Sequence, residues 1–197
     1  MNIKTLKKNI TDAIWDFVFR FLARREKFII SLSLMDDVSG SYWPLDVRGK
    51  TVVDIGADWG NSPLYWRWRG ARKVIAYESD QNVRSRLELL ALLHGSSEAR
   101  GDWLEVHGAW DGSYPDADVL KMDCEGCEGC LDVKMLAKYS QWAIVLHPPG
   151  HAYPAPTLHL IPLLQSVGGH RLHKNALRPE QRTKFTDGCE EEVWIKA

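Results

Sequence analysis

The sequence predicts an α/β fold built on a mainly parallel sheet, and three observations carry that prediction. Short apolar runs alternate with helix-like segments along most of the chain. One run, Thr51 to Ile55, leads into a glycine-rich turn, and the next, Lys73 to Tyr77, ends at an acid, Glu78. At 197 residues with 45% hydrophobic content, the chain has enough material for one full domain core. The net charge of −1 gives no strong electrostatic signal for a nucleic-acid partner. No apolar run reaches the roughly eighteen residues of a membrane span. Charged residues interrupt any signal-peptide core, so a cytoplasmic, soluble protein is expected.

Residues 1–35 carry Ile10, Ile14, Phe17, Val18 and Phe21 at helical spacing, beside Lys4, Lys7, Lys8, Arg20, Arg24 and Arg25. This basic amphipathic helix is expected to pack on the domain that follows. Weak peripheral binding to an anionic membrane surface and a homo-oligomer contact are the alternatives. The turn-rich stretch 36–50 reads as a connector, which divides the chain into an extension, 1–48, and a domain, 49–197. Strands are expected near 51–55, 73–78, 103–107, 117–122, 142–147, 169–174 and 190–196, and helices near 60–69, 80–94, 128–138 and 156–167. Only a loop, Ala176 to Gly188, joins the last two strands, which makes them antiparallel neighbours. Most of the nine tryptophans are expected to pack between helix and sheet, Trp66 and Trp68 among them. Trp59 lies inside the glycine turn, where it could flank a ligand instead.

The turn and the acid have separate physical roles. Gly56 and Gly60 let the backbone bend sharply, and the start of the next helix points unpaired N–H groups at whatever sits there. Glu78 lies 22 residues beyond Gly56, where a carboxylate accepts the two hydroxyls of a ribose. The spacing D-x-G-x-D-x-G departs from the dinucleotide pattern G-x-G-x-x-G. Asp54 and Asp58 place negative charge where a pyrophosphate would sit, so a nucleoside with a cationic centre and an ammonium group fits better. S-adenosylmethionine (SAM) is such a molecule.

A second cluster, Asp118 to Leu131, reads DVLKMDCEGCEGCL. A parallel sheet of this kind brings its first and fourth strands together at the point where strand order reverses, so Asp123 should face Asp54 and the turn. Asp123 could orient the cationic end of the cofactor, hold a substrate hydroxyl, or bind a divalent ion with Glu125. Alternatively, Glu125 and Glu128 cap the next helix. The C-x-x-C-x-x-C spacing of Cys124, Cys127 and Cys130, with Cys189 in reserve, invites a metal or iron–sulfur reading. Small buried thiols at a crowded strand end are the preferred reading, no metal centre is assigned, and a disulfide is disfavoured in a cytoplasmic chain.

With both clusters in view, the chain resembles the FkbM-type family of SAM-dependent methyltransferases. The residues that carry the resemblance are VVDIGADWGN (Val52 to Asn61), VIAYESD (Val74 to Asp80) and KMDCEGCE (Lys121 to Glu128), the last similar to a K-x-D-x-E-G-x-E signature. AIVLHP (Ala143 to Pro148) is similar to the family's next strand, but Val145 stands where an acid is usual. Asp58 stands where the family more often has Asn. The resemblance covers residues 50–197. It implies a Rossmann-like class I methyltransferase fold with seven strands, the last antiparallel, and helices on both faces. It also implies SAM as methyl donor and a hydroxyl on a sugar, glycan or other small molecule as acceptor.

On this reading Glu78 anchors the ribose, Gly56, Ala57 and Asp58 line the methionine portion, and Gly60, Asn61 and Ser79 are further cofactor-binding candidates. Asp54 supports the turn and the ammonium group, Asp123 could orient the cationic end, and Trp110 either stacks near the adenine or packs. Asp123, Glu125 and His147 are the candidates for catalysis, because a hydroxyl must give up a proton. His147 opens a proline-rich loop (HPPGHAYPAP), with His151 a weaker candidate. An RNA or protein methyltransferase and a non-catalytic nucleoside-binding domain are the competing readings. The former should show a basic stripe beside the cleft, and only Arg67, Arg69, Arg72 and Lys73 cluster.

Overall fold

The computed structural model describes residues 41–95, 103–147, 157–172 and 192–197. The N-terminal helix expected over 1–35, His151 with most of its proline-rich loop, and Cys189 lie outside the described residues. The strands are β1 (Thr51–Ile55), β2 (Lys73–Tyr77), β3 (Leu104–His107), β4 (Val119–Met122), β5 (Gln141–Leu146), β6 (His170–Arg171) and β7 (Glu192–Lys196). The α-helices are α1 (Asn61–Trp68), α2 (Gln81–Gly95) and α3 (Ile161–Ser166).

Together the strands form one seven-stranded sheet in the order β3-β2-β1-β4-β5-β7-β6. The first five strands run parallel, and β7 is antiparallel to both β5 and β6. The expected fold class holds, including the reversed last strand. Strand order turns back between β1 and β4, which puts a crevice at their carboxyl ends.

The sequence explains why these segments pair. β1, β4 and β5 are buried along their whole length, as central strands covered on both faces must be. Alternation then sorts the side chains. Val53, Ile55, Leu120, Met122, Trp142, Ile144 and Leu146 share one core with Leu136, Leu160 and Leu164, the last of which lies on α3. The opposite face holds Asp54 and Lys121, which are register partners across β1 and β4, and is covered by α1 through fully buried Trp66. Residues 41–48, read as connector, contribute Tyr42, Leu45 and Val47 to the buried interior.

Two elements differ from expectation. The helix expected over 128–138 is two 3-10 turns, Cys127–Cys130 and Val133–Lys138, separated at Leu131 and Asp132. Asp132 adopts extended backbone there, and its side chain accepts the Lys134 N–H, so the chain restarts instead of continuing. The strand expected over 169–174 is described only as His170–Arg171. No helix among the described residues is long and apolar enough to cross a membrane.

Candidate functional site

The candidate site is assembled at the carboxyl edge of β1, β2, β4 and β5. After β1, the backbone N–H groups of Gly56 and Ala57 both donate to the Tyr77 carbonyl at 3.0 Å, which ties the turn to the end of β2. Gly56 has φ +76°, and a Cβ there would collide with the Asp123 carbonyl oxygen. Close approach of the β4 end therefore demands a glycine at this position. Gly60, also left-handed at φ 94°, is the residue from which α1 starts. Asp58 is left-handed without being glycine, at φ 46°.

Glu78 sits at the end of β2 and holds two backbone groups. Its carboxylate accepts the Asp58 N–H at 2.9 Å and the Asp80 N–H at 2.8 Å. Asp80 in turn caps α2 by accepting the Asn82 N–H at 2.7 Å. A carboxylate has about four lone-pair positions, so Glu78 keeps acceptor capacity for hydroxyls. Asp58 is exposed beside it. Partial burial of its carboxyl, followed by the nearby Glu78 and Glu125 charges, raises its pKa above the ordinary value. Trp59 is 45% exposed, with the Arg86 guanidinium 4.0 Å above its ring. Ala57 and Asn61 are buried, and Ser79 is exposed.

Asp54 is fully buried, and its partners are internal: Lys121 Nζ at 3.0 Å from one oxygen and the Trp66 indole N–H at 2.8 Å from the other. The Lys121 ammonium also donates to the Ile55 and Gly56 carbonyls. Burial opposes its charge, but the Asp54 and Asp123 carboxylates outweigh burial and raise its pKa. Of the two roles expected of Asp54, support of the turn and of the cofactor's ammonium group, its buried contacts with Lys121 and Trp66 fit the first.

Beyond β4, the turn is built around Glu128. This side chain is fully buried and accepts the Cys124 and Gly126 N–H groups, each at 2.7 Å. Asp123 Oδ2 accepts the Tyr42 hydroxyl at 2.7 Å, a contact spanning 81 residues that the sequence did not suggest. His147, at the end of β5, joins the two acids: Nε2 lies 3.4 Å from Asp123, and Nδ1 lies 3.4 Å from Glu128. Burial alone would lower the His147 pKa, but these two carboxylates push it up to about 10. Burial works to raise Asp123, and the His147 and Lys121 charges with the Tyr42 hydroxyl overcome it, holding Asp123 well below the usual carboxylate range. Glu125 is exposed, with left-handed backbone at φ 55°.

Donor atoms of Asp123, Glu128 and His147 lie within 4.8 Å of one another. Each carboxylate faces a different ring nitrogen, an arrangement that a doubly protonated imidazole would satisfy. The cysteines differ from expectation: Cys124 and Cys127 form a disulfide across this turn, whereas Cys130 is a free, exposed thiol. Trp110 is half-buried against the core, edge-on to Tyr114, and its indole N–H donates to the Ser113 carbonyl within its own loop.

The acceptors on this edge suit a cationic nucleoside. Asp58, Glu78 and Asp123 offer carboxylate oxygens to hydroxyl and ammonium groups, and the glycine turn places α1 behind them. The structure thus brings Asp58, Glu78, Asp123, Glu125 and His147 to one edge. It sets Asp54 beneath them and leaves Trp110 committed to its loop.

No family model matches the chain. It is similar to uncharacterized protein 65 of Sulfolobus islandicus filamentous virus, 41% identical over 107 residues, which are 54% of this chain and 65% of that protein. It is also similar to uncharacterized protein 158B of Sulfolobus islandicus rod-shaped virus 1, 37% identical over 111 residues, 54% of this chain and 66% of that one. The chain therefore spans just under two thirds of the length of these curated relatives. Among solved structures it resembles Aeropyrum pernix fibrillarin with bound SAM (TM-score 0.55, 12% identity, 82% of this chain and 74% of that chain). It also resembles magnesium protoporphyrin IX methyltransferase of Synechocystis (0.54, 13%, 83% and 81%) and an S-adenosylmethionine-dependent methyltransferase of Mesorhizobium loti (0.52, 14%, 79% and 96%). The resemblance to the FkbM-type family is overturned, since the structural likeness is to general class I methyltransferases and not to that family's atypical fold. The motif at 121–128 has a local explanation instead, because Lys121, Asp123 and Glu128 are members of an internal ion network. At these identities the likeness is one of architecture, and the domain has the class I SAM-dependent methyltransferase fold.

Proposed function

We propose that this domain is a SAM-dependent methyltransferase whose acceptor is a hydroxyl on a sugar, glycan or other small molecule. The observation that supports it most is the convergence of the glycine turn, Glu78 and Asp123 on the carboxyl edge, where the strand order reverses between β1 and β4. Glu78 would hold the ribose. Asp58 and Asp123 would face the positively charged portion, and Trp59 would border the site. Bound there, SAM supplies an electrophilic methyl group on a sulfonium. The task left to the chain is alignment and removal of the acceptor proton.

His147 does not suit that proton transfer at neutral pH. An imidazolium between two carboxylates donates and does not accept. Asp123 is bound by a hydroxyl and faced by that imidazolium, which makes it a weak base and a good anchor. Glu125 is exposed next to Asp58, and we assign it the acceptor proton. The acidic lining, Asp58, Glu78, Asp123 and Glu125, disfavours a polyanionic acceptor and supports a small neutral one.

Calorimetric titration with SAM tests the reading. Wild type should bind, and Glu78→Ala should weaken binding roughly tenfold or more, since it removes a charged acceptor from two hydroxyls. Wild type that fails to bind SAM would refute the reading. A labelled-methyl screen across sugars, glycans, RNA and protein then identifies the acceptor class.

A further inference from the structure

We propose that Glu128, acting through His147, is a positioning residue that fixes the Asp123 carboxylate at the mouth of the cofactor site. This rests on the methyltransferase reading above, but its structural half can be tested alone. The three side chains form a graded series. Glu128 is 0% exposed, His147 5% and Asp123 33%, so only the last member reaches the crevice. Each link joins different elements: Glu128 lies in the turn after β4, His147 ends β5, and Asp123 leaves β4 itself.

The innermost member is immobilised first. Both Glu128 oxygens accept backbone N–H groups of its own turn, from Cys124 and Gly126. Its Oε1 also faces His147 Nδ1, which fixes the ring's orientation. The opposite nitrogen, Nε2, then points at Asp123 Oδ1, while Tyr42 holds Oδ2. A neutral imidazole has one N–H and could serve only one of the two acids; two carboxylates on two nitrogens call for both protons. Among the described residues, the charged groups that face His147 are Asp123 and Glu128, with Lys121 acting through Asp123.

Of Asp54, Asp123 and Glu128, only Asp123 has exposed surface, so its carboxylate is the one offered at the crevice. There it would meet the ammonium or sulfonium of a cationic nucleoside. Neutralising Glu128 would let His147 lose one proton, and Asp123 would then face a neutral ring whose single N–H is shared between two tautomers, not a fixed imidazolium.

The test follows His147 by nitrogen-15 imidazole spectra across pH, with its signal identified by its loss in His147→Gln, together with SAM titrations on wild type and Glu128→Gln. Wild-type His147 should keep both protons through about pH 9. In Glu128→Gln its midpoint should fall by at least one unit. SAM binding by that variant should be near wild type at pH 6, where the ring stays protonated, and roughly tenfold weaker at pH 8 to 9. A wild-type His147 that titrates near its ordinary value would overturn the proposal, and the spectra decide this even if the variant does not fold. So would a variant equally weakened at every pH with its ring unaffected, or a divalent metal recovered with the purified protein in stoichiometric amount. If wild type ignores SAM while His147 still titrates high, the methyltransferase reading fails and the carboxylate–imidazolium chain stands.

Discussion

The turns that follow β1 and β4 lie side by side at the same edge, yet they are held by different physics. The first, Gly56 to Gly60, is set by steric fit and backbone hydrogen bonds: its glycine must clear the Asp123 carbonyl, and its N–H groups are tied to β2. The second, Asp123 to Glu128, is set by charge, with a buried acid gathering N–H groups and an imidazole around itself. A turn held by contact leaves its acid, Asp58, and the neighbouring Glu78 accessible to a ligand. The turn held by charge consumes Glu128 internally, ties Asp123 to Tyr42 and His147, and leaves Glu125 exposed.

Three substitutions or conditions should separate these modes, and the largest effect should come from the charge network. Lys121→Met leaves Asp54 buried without its cation and should cost about 3–5 kcal/mol in denaturant unfolding. If the double variant Lys121→Met with Asp54→Leu recovers much of that loss, unpaired charge is the cause; no recovery would point to packing. Gly56→Ala tests the contact-held turn. The left-handed backbone and the approach of Asp123 together predict a loss of roughly 3 kcal/mol and weakened SAM binding. A variant as stable as wild type would show that the two turns are not locked together.

The smallest effect is in pH dependence. His147 is raised from 6.5 to about 10, so its stabilising contribution is complete below pH 6.5 and disappears as pH climbs toward 10. Asp123 is lowered from 3.8, so its contribution is complete above about pH 4 and disappears as pH falls below that value. Melting temperature should therefore be highest between about pH 4 and 6.5 for this pair. In His147→Gln the alkaline decline should flatten, and an unchanged alkaline decline would assign it elsewhere.

The sheet was legible in the sequence because its central strands are mainly apolar runs, β1 followed by a glycine and β4 by an acid. Even the reversal of the last strand could be read, from the absence of a crossover helix before it. Glu78 and Asp123 were legible for a related reason: strand ends converge on one edge. What the sequence concealed were contacts between distant positions. Tyr42 lies in a stretch rich in turn residues, and nothing local reveals that its hydroxyl reaches Asp123. Asp54 reads as a ligand because it precedes a glycine turn, and only its register with Lys121 shows that its charge is spent. Cysteine spacing alone could not separate thiols from a bridge. The short pattern from Lys121 to Glu128 suggested a family, whereas an ion network accounts for the same residues.

The pairing of Asp54 with Lys121 also bears on how the chain finds its fold. Apart from Thr51, Asp54 and Lys121, β1 and β4 are apolar, and apolar strands can slide past one another at little cost. A slip of one residue would turn Asp54 toward the opposite face, among Leu120, Met122 and their neighbours, with no cation to meet it. The misaligned sheet would then carry two stranded charges in its interior. One acid in β1 and one base in β4 thus work as a key that admits a single alignment, and the alignment they admit is the one that brings the two turns together.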